Sequence, residues 1–86
     1  MTIAEKIKAG ATIVDVRTPE EFRGGAFPNA LNIPLAALPA RMSELPKGKP
    51  IVVYCHSGGR SSQAERLLKQ SGYDVVNAGG LANMPR

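Results

Sequence analysis

Short apolar runs rich in Val and Ile alternate with segments that carry helix-start and helix-stop signals, and this alternation constrains the fold more than any other feature. Ala11-Thr12-Ile13-Val14-Asp15-Val16 and Ile51-Val52-Val53-Tyr54 are nearly unbroken apolar stretches, as expected of strands buried on both faces. Thr2-Ile3-Ala4-Glu5 and Thr18-Pro19-Glu20-Glu21 are capping boxes, each opening a short helix, the second with Pro at its first position. Gly10 supplies the stop for the first helix. Leu31-Asn32-Ile33 reads as a brief strand before Pro34, and Pro39 opens a helix carrying Leu38, Met42 and Leu45 and closed by Pro46. From Arg60 to Ser71 the spacing of Ala64, Leu67 and Leu68 predicts the best helix, with Gly72 as its stop. Asp74-Val75-Val76 supplies a last strand, followed by Ala78-Gly79-Gly80. Strands separated by helices require crossover connections, so the expected fold is α/β: a small, mainly parallel sheet with helices on both faces. Ligands of such sheets sit beyond the carboxyl ends of the strands. Two segments leave strands there with unusual chemistry, Asp15-Val16-Arg17 and Cys55-His56-Ser57-Gly58-Gly59-Arg60-Ser61.

At 86 residues the chain is long enough for one domain, residues 1–86, and too short for two. Its 43% hydrophobic content argues against disorder, and no apolar run reaches the roughly 18 residues of a bilayer span. The start, Met1-Thr2-Ile3-Ala4-Glu5-Lys6, lacks the features of a secretory leader, which predicts a cytoplasmic address, or a periplasmic one for a mature form already trimmed. A single cysteine excludes an internal disulfide and an intramolecular dithiol centre. The formal charge of +4 favours anionic small molecules over cationic ones. The Lys and Arg residues are scattered, and the aromatics Phe22, Phe27, Tyr54 and Tyr73 are too dispersed for base stacking. Neither nucleic acid nor a membrane is expected as a partner.

The loop after Ile51-Val52-Val53-Tyr54 carries the chemistry. Gly58 and Gly59 allow it to curl with its N–H groups inward, and it ends at a helix N-terminus, which favours anions. Cys55 is expected at the bottom of a bowl lined with amide donors, rimmed by Arg60 and reachable from solvent. A free thiol titrates near ~8.5, and lowering it to about 6.5 takes roughly 2.7 kcal/mol of selective anion stabilisation. A helix terminus supplies at most ~2 kcal/mol. Direct N–H···S contacts and the Arg60 charge are expected to supply the rest.

The stretch Asp15-Val16-Arg17-Thr18-Pro19-Glu20-Glu21-Phe22 resembles the first signature of rhodanese domains, and Ala30-Leu31-Asn32-Ile33-Pro34-Leu35 the segment after it. Cys55-His56-Ser57-Gly58-Gly59-Arg60-Ser61 resembles their active-site loop, and Gly79-Gly80-Leu81 their terminal glycine motif. Within the family, Asn77-Ala78-Gly79-Gly80-Leu81 followed by Met84-Pro85 is most like the small phage-shock protein E type. The resemblance implies a rhodanese-like fold and thiosulfate sulfurtransferase activity. The Cys55 thiolate takes the outer sulfur of thiosulfate or a similar anionic donor as a persulfide and passes it to cyanide, a thiol or a sulfur-carrier protein, with no metal or organic cofactor. Two departures stand out. The family commonly has Gly-His where this chain has Gly25-Ala26-Phe27, so weaker local support is expected there. Many relatives also continue into a further helix, so the wall near Gly79-Gly80 is expected to be more open.

Cysteine phosphatases and arsenate reductases also place Cys at a strand end and Arg at a helix start, but with five intervening residues. Here four, His56 to Gly59, separate Cys55 from Arg60, and the tighter bowl suits one added sulfur better than a phosphate. A phosphatase also needs a general acid, for which Asp15 is the sole candidate. A non-catalytic docking module is the third reading, and an intact Cys55 loop argues against it. Of the remaining site residues, Arg60 either holds the loop or faces the anionic substrate. His56 contributes mainly its backbone N–H, with its side chain tuning substrate choice. Ser57 either donates to the sulfur or serves the turn, and Ser61 satisfies the helix start. Asp15 is expected to pin loop amides. Arg17 pairs with a carboxylate such as Glu21 or reaches the bowl as a second cation. Tyr54 and Phe22 read as core, and Lys47, Lys49, Arg66 and Lys69 as solvated surface.

Overall fold

The computed structural model describes residues 1–85. Its elements are α1 (Ile3–Lys8), β1 (Thr12–Asp15), α2 (Pro19–Arg23), β2 (Leu31–Asn32), α3 (Leu38–Arg41), β3 (Ile51–Cys55), α4 (Gly59–Gln70) and β4 (Val75–Gly80). Single 3-10 turns flank α3 at Leu35–Ala37 and Met42–Glu44, and a third follows β4 at Leu81–Asn83. Both capping boxes form, with the Thr2 and Thr18 hydroxyls accepting from the N–H groups of Glu5 and Glu21. α4 ends at Gln70 and the chain turns at Gly72, whose φ is +89°. Among the described residues no helix is long and apolar enough to cross a membrane.

The sheet runs β2-β1-β3-β4 and every pairing is parallel. From β1 the chain first winds outward to β2, then crosses back over β1 to β3 and outward again to β4. The winding direction therefore reverses between β1 and β3, the place where doubly wound sheets open a crevice at their carboxyl edge. Asp15 ends β1 and Cys55 ends β3, and Asp15 pairs in register with Tyr54. The two chemistry-bearing segments are thus brought to this crevice by topology alone.

All five residues of β3 are buried, and their side chains alternate between two clusters. Ile51, Val53 and Cys55 join Val14, Val16, Leu38, Ala64 and Leu68 on the face covered by α3 and α4. Val52 and Tyr54 join Ile13 and Met84 on the other face, where Ile3 and Ile7 of α1 pack. Helices cover both faces, as the unbroken apolar runs require. Leu68 is fully buried, and truncating such a side chain costs about 2–5 kcal/mol.

The last strand is longer than the apolar run Val75-Val76 suggests. It continues to Gly80 because the register with β3 shifts after Val53: Asn77 pairs with Val53 and Gly79 with Tyr54, leaving Ala78 as the extra residue of a bulge. The Asn77 side chain accepts from the Gly79 N–H at 2.8 Å, replacing a ladder bond that the bulge removes. This detour brings β4 under the loop that follows β3.

Candidate active site

β3 delivers Cys55 to the sheet edge, and the next three residues turn back over its sulfur. Gly58 makes the turn possible, with φ +104°, a region that a side chain rarely tolerates. Its N–H donates to Cys55 Sγ at 2.9 Å. α4 starts at once, and its third residue, fully buried Ser61, places Oγ 3.3 Å from the sulfur. The same hydroxyl lies 3.2 Å from the Gly58 carbonyl and 3.3 Å from that of Gly79. Ser61 therefore ties together the sulfur, the loop and β4, a larger part than satisfying the helix start. Gly80 completes the cradle: a Cβ there would collide with the carbonyl oxygen of His56, so only glycine lets β4 approach the loop this closely.

Burial pushes the Cys55 thiol up, but hydrogen bonds to its anion outweigh that and hold it down at about 7. The Ser61 hydroxyl is the strongest of these, followed by the N–H groups of Ser61, Gly58 and Ser57. The lowered thiol favours the thiolate, and it is the Ser61 hydroxyl with the loop amides, ahead of the Arg60 charge, that account for it.

Three expectations are corrected. Cys55 is 1% exposed rather than openly reachable, because the amides and Ser61 converge on its sulfur and close the cradle. His56, Ser57 and Gly59 form the exposed outer surface of the same turn. The wall at Gly79-Gly80 is likewise shut: Gly80 is buried, and its N–H donates to Asn83 Oδ1 of the last turn at 3.1 Å. A groove of about 390 Å³ on the outer face of α4 is lined by Gln63, Arg66, Leu67 and Gln70, and by no residue of the loop.

The third correction concerns the arginines. Arg17 pairs with Asp15, not with Glu21: its Nη2 lies 2.7 Å from Asp15 Oδ2, and its backbone N–H donates to Asp15 Oδ1 at 2.8 Å. Both residues are buried at the end of β1, and two charges taken from water so close together satisfy each other. Tyr54 donates from its hydroxyl to Asp15 Oδ2 at 2.8 Å and accepts the Phe27 N–H at 3.0 Å. Arg17 Nη2 also donates to the Gly25 carbonyl at 2.7 Å. The segment where the family's histidine is missing is thus anchored through Gly25 and Phe27 instead. With its carboxylate engaged on every side, Asp15 is in no position to act as a general acid. It does pin a loop amide, that of Arg17, as its place in the sequence suggests.

Glu21 is taken by Arg60. The guanidinium donates from Nη1 to Oε1 at 2.7 Å and from Nη2 to Oε2 at 3.0 Å. This contact, and then the Thr18 N–H, hold the Glu21 carboxyl down at about 2. Arg60 therefore ties the start of α4 to α2 and acts on the thiolate only through its charge, while the hydroxyl and amides make the direct contacts. Sequence reasoning read Tyr54 only as core and gave Glu21 to Arg17, and so missed the partner each takes at this edge. A tyrosine hydroxyl in a fully buried strand must find a partner, which was the available signal. Glu21 already had a role in its capping box, and nothing local marked its second one.

The Rhodanese-like domain family profile matches residues 2–83. A sulfurtransferase of Allochromatium vinosum is 50% identical over 64 residues, covering 74% of this chain and 60% of that protein. The thiosulfate sulfurtransferase PspE of Escherichia coli is 38% identical over 74 residues, covering 83% of this chain and 71% of its relative. Among solved structures, a rhodanese with anions from E. coli superposes with a TM-score of 0.81 at 36% identity, covering 87% of this chain and 92% of that one. The glycine loop closed on Cys55, the parallel sheet that presents it and these matches together make the chain a member of the Rhodanese-like domain family, while it spans only about 60% of the length of the Allochromatium relative.

Proposed function

We propose that residues 1–86 form one rhodanese domain that moves a sulfane sulfur through a persulfide on Cys55. The observation that carries this reading is the Gly58 N–H donating to Cys55 Sγ at 2.9 Å within a glycine turn, with the thiol held at about 7. A thiolate in that setting is a nucleophile without needing a base. It attacks the outer sulfur of thiosulfate or a similar donor, the S–S bond breaks, and sulfite leaves with the electron pair. The persulfide then occupies the cradle, where the N–H groups that served the thiolate serve the outer sulfur. A thiol, cyanide or a sulfur-carrier protein takes that sulfur and restores the thiolate. Because the sulfur is covered, the turn His56-Ser57-Gly58-Gly59 has to open for the donor to enter, and its glycines make that movement cheap. His56 and Ser57, exposed on the turn, are the first side chains a donor meets, with Asp15 and Arg17 bracing the neighbouring strand end.

Mass spectrometry after thiosulfate treatment tests this: one added sulfur on Cys55, removable by cyanide, is the expected result. Steady-state transfer should follow double-displacement kinetics, and Cys55→Ser should abolish it. Retained transfer in Cys55→Ser ends the assignment.

A further inference from the structure

The Cys55 anion carries one negative charge, and any donor that approaches it as an anion adds more. Two arginines stand at this edge of the sheet, and neither offers a free positive charge. Arg17 is spent on Asp15 inside the fold. Arg60 is gripped in two-point fashion by Glu21, itself fixed by accepting from the Thr18 N–H at 3.0 Å and hydroxyl at 3.2 Å. What holds the sulfur is a hydroxyl and a set of backbone amides, all neutral. Among the described residues, a doubly charged donor finds hydrogen-bond donors and a guanidinium already paired with a carboxylate to offset its repulsion with the thiolate.

We propose that Glu21, by neutralising Arg60, sets the charge class of the donor: neutral or singly charged alkyl persulfides are favoured over dianionic thiosulfate. This rests on reading Cys55 as the sulfur acceptor. With an alkyl persulfide R–S–SH, the Cys55 thiolate bonds to the outer sulfur and the S–S bond breaks. The pair of electrons leaves on R–S⁻, and Cys55 is left as Cys–S–SH. With thiosulfate the same attack expels sulfite and leaves Cys–S–S⁻, so three negative charges share the site throughout. Glu21 acts on this step through Arg60 and is a positioning residue.

Alkylation of Cys55 by iodoacetate and by neutral iodoacetamide separates charge from everything else. Both reagents lose iodide to the same thiolate under the same loop, so the ratio of their rates cancels ionisation and access. In Glu21→Gln the iodoacetate-to-iodoacetamide ratio should rise about two- to fivefold, the scale of an ion pair one-third open to solvent, and the gain should fade near ~1 M salt. Glu21→Asp keeps the charge and should keep the parent ratio. Glu20→Gln removes an exposed charge from the same turn without touching Arg60, and should also leave it. Should Glu21→Gln fail to fold, Arg60→Gln carries the test, with the ratio falling about two- to fivefold. An unchanged ratio in Glu21→Gln, or an equal rise in Glu20→Gln, overturns the proposal. In transfer assays kcat/KM for thiosulfate relative to an alkyl persulfide should rise in Glu21→Gln by a similar factor. Failure of both donors to load Cys55 would sink the sulfurtransferase reading, while the alkylation ratio still judges Glu21. Complete inertness to both alkylating reagents overturns the two together, since a sulfur that no small electrophile reaches takes no donor.

Discussion

Arg17 and Arg60 each hold a carboxylate at more than one point, yet the two pairs sit in opposite surroundings. The side chains of Arg17 and Asp15 are 6% and 0% exposed, whereas those of Arg60 and Glu21 are 36% and 33% exposed. The buried pair is surrounded by further partners: the Tyr54 hydroxyl, the Gly25 carbonyl and the Arg17 N–H, with the Tyr54 ring 5.6 Å from the guanidinium carbon. The open pair has only the α2 cap behind it. Charges removed from water are committed, because losing one partner strands the other. Charges at the surface are adjustable, because water substitutes for either. One side of the crevice is thus a brace and the other a place where the field around Cys55 can be set.

The largest expected effect comes from breaking the brace. Asp15→Asn removes the charge that Arg17 was folded against, and stranding one member of a buried pair costs about 3–5 kcal/mol. In a small domain that is a large share of a total of roughly 5–15 kcal/mol. Urea denaturation should show a much lower midpoint for Asp15→Asn than for Glu21→Gln. Equal losses in the two variants would dissolve the distinction between the pairs.

Gly80→Ala probes the same edge from the third side, β4. The added Cβ would strike the His56 carbonyl, so either the strand or the loop must move, and crowding of this kind costs about 1–3 kcal/mol. Because the moving part is the loop that carries Cys55, sulfur loading should fall by more than stability alone explains. A variant that loads normally would mean the contact is not needed to shape the cradle. Tyr54→Phe sharpens the buried side. It leaves the Phe27 N–H without its partner and costs about 1–3 kcal/mol by denaturation, while the rate of Cys55 alkylation stays near the parent's.

These three residues also mark where the sequence was legible and where it was not. Apolar runs, capping boxes and terminal glycines are local signals, so β1, β3, α4 and both capped helices followed from reading along the chain. The glycines of the Cys55 loop announced a turn, and the turn formed with Gly58 at positive φ. Partner choice was another matter. Glu21 lies four residues from Arg17 and thirty-nine from Arg60, and proximity in sequence suggested the wrong pairing. Asp15 outcompeted it because both Asp15 and Arg17 leave the end of β1 into the interior, where only a charge can answer a charge. The continuation of β4 through Gly80 was equally hidden. Glycines are poor strand formers, and they are in this strand because the His56 carbonyl occupies the space a side chain would need. Closure of the cradle over the sulfur depended on these same long-range contacts.

The smallest effect should appear in acid, and it separates the open pair from the brace most finely. Arg60 and then Thr18 hold the Glu21 carboxyl at about 2, below the ~4.3 of an unfolded glutamate. A carboxyl lowered by folding adds stability above its unfolded pKa and loses it as pH falls through its folded one. The advantage of the parent over Glu21→Gln should therefore be constant from pH 7 down to about 5 and then shrink progressively toward pH 2. Because the pair is one-third open to solvent, the advantage should also be reduced by salt at neutral pH, where screening reaches it. Thermal melts of both proteins across that pH range, at low and high salt, measure the difference directly. A gap between parent and variant that widens on acidification would mean that folding does not lower the Glu21 carboxyl at all, and one that salt leaves untouched would mean Glu21 holds Arg60 as rigidly as Asp15 holds Arg17. The field at Cys55 would then be as fixed as the brace beside it.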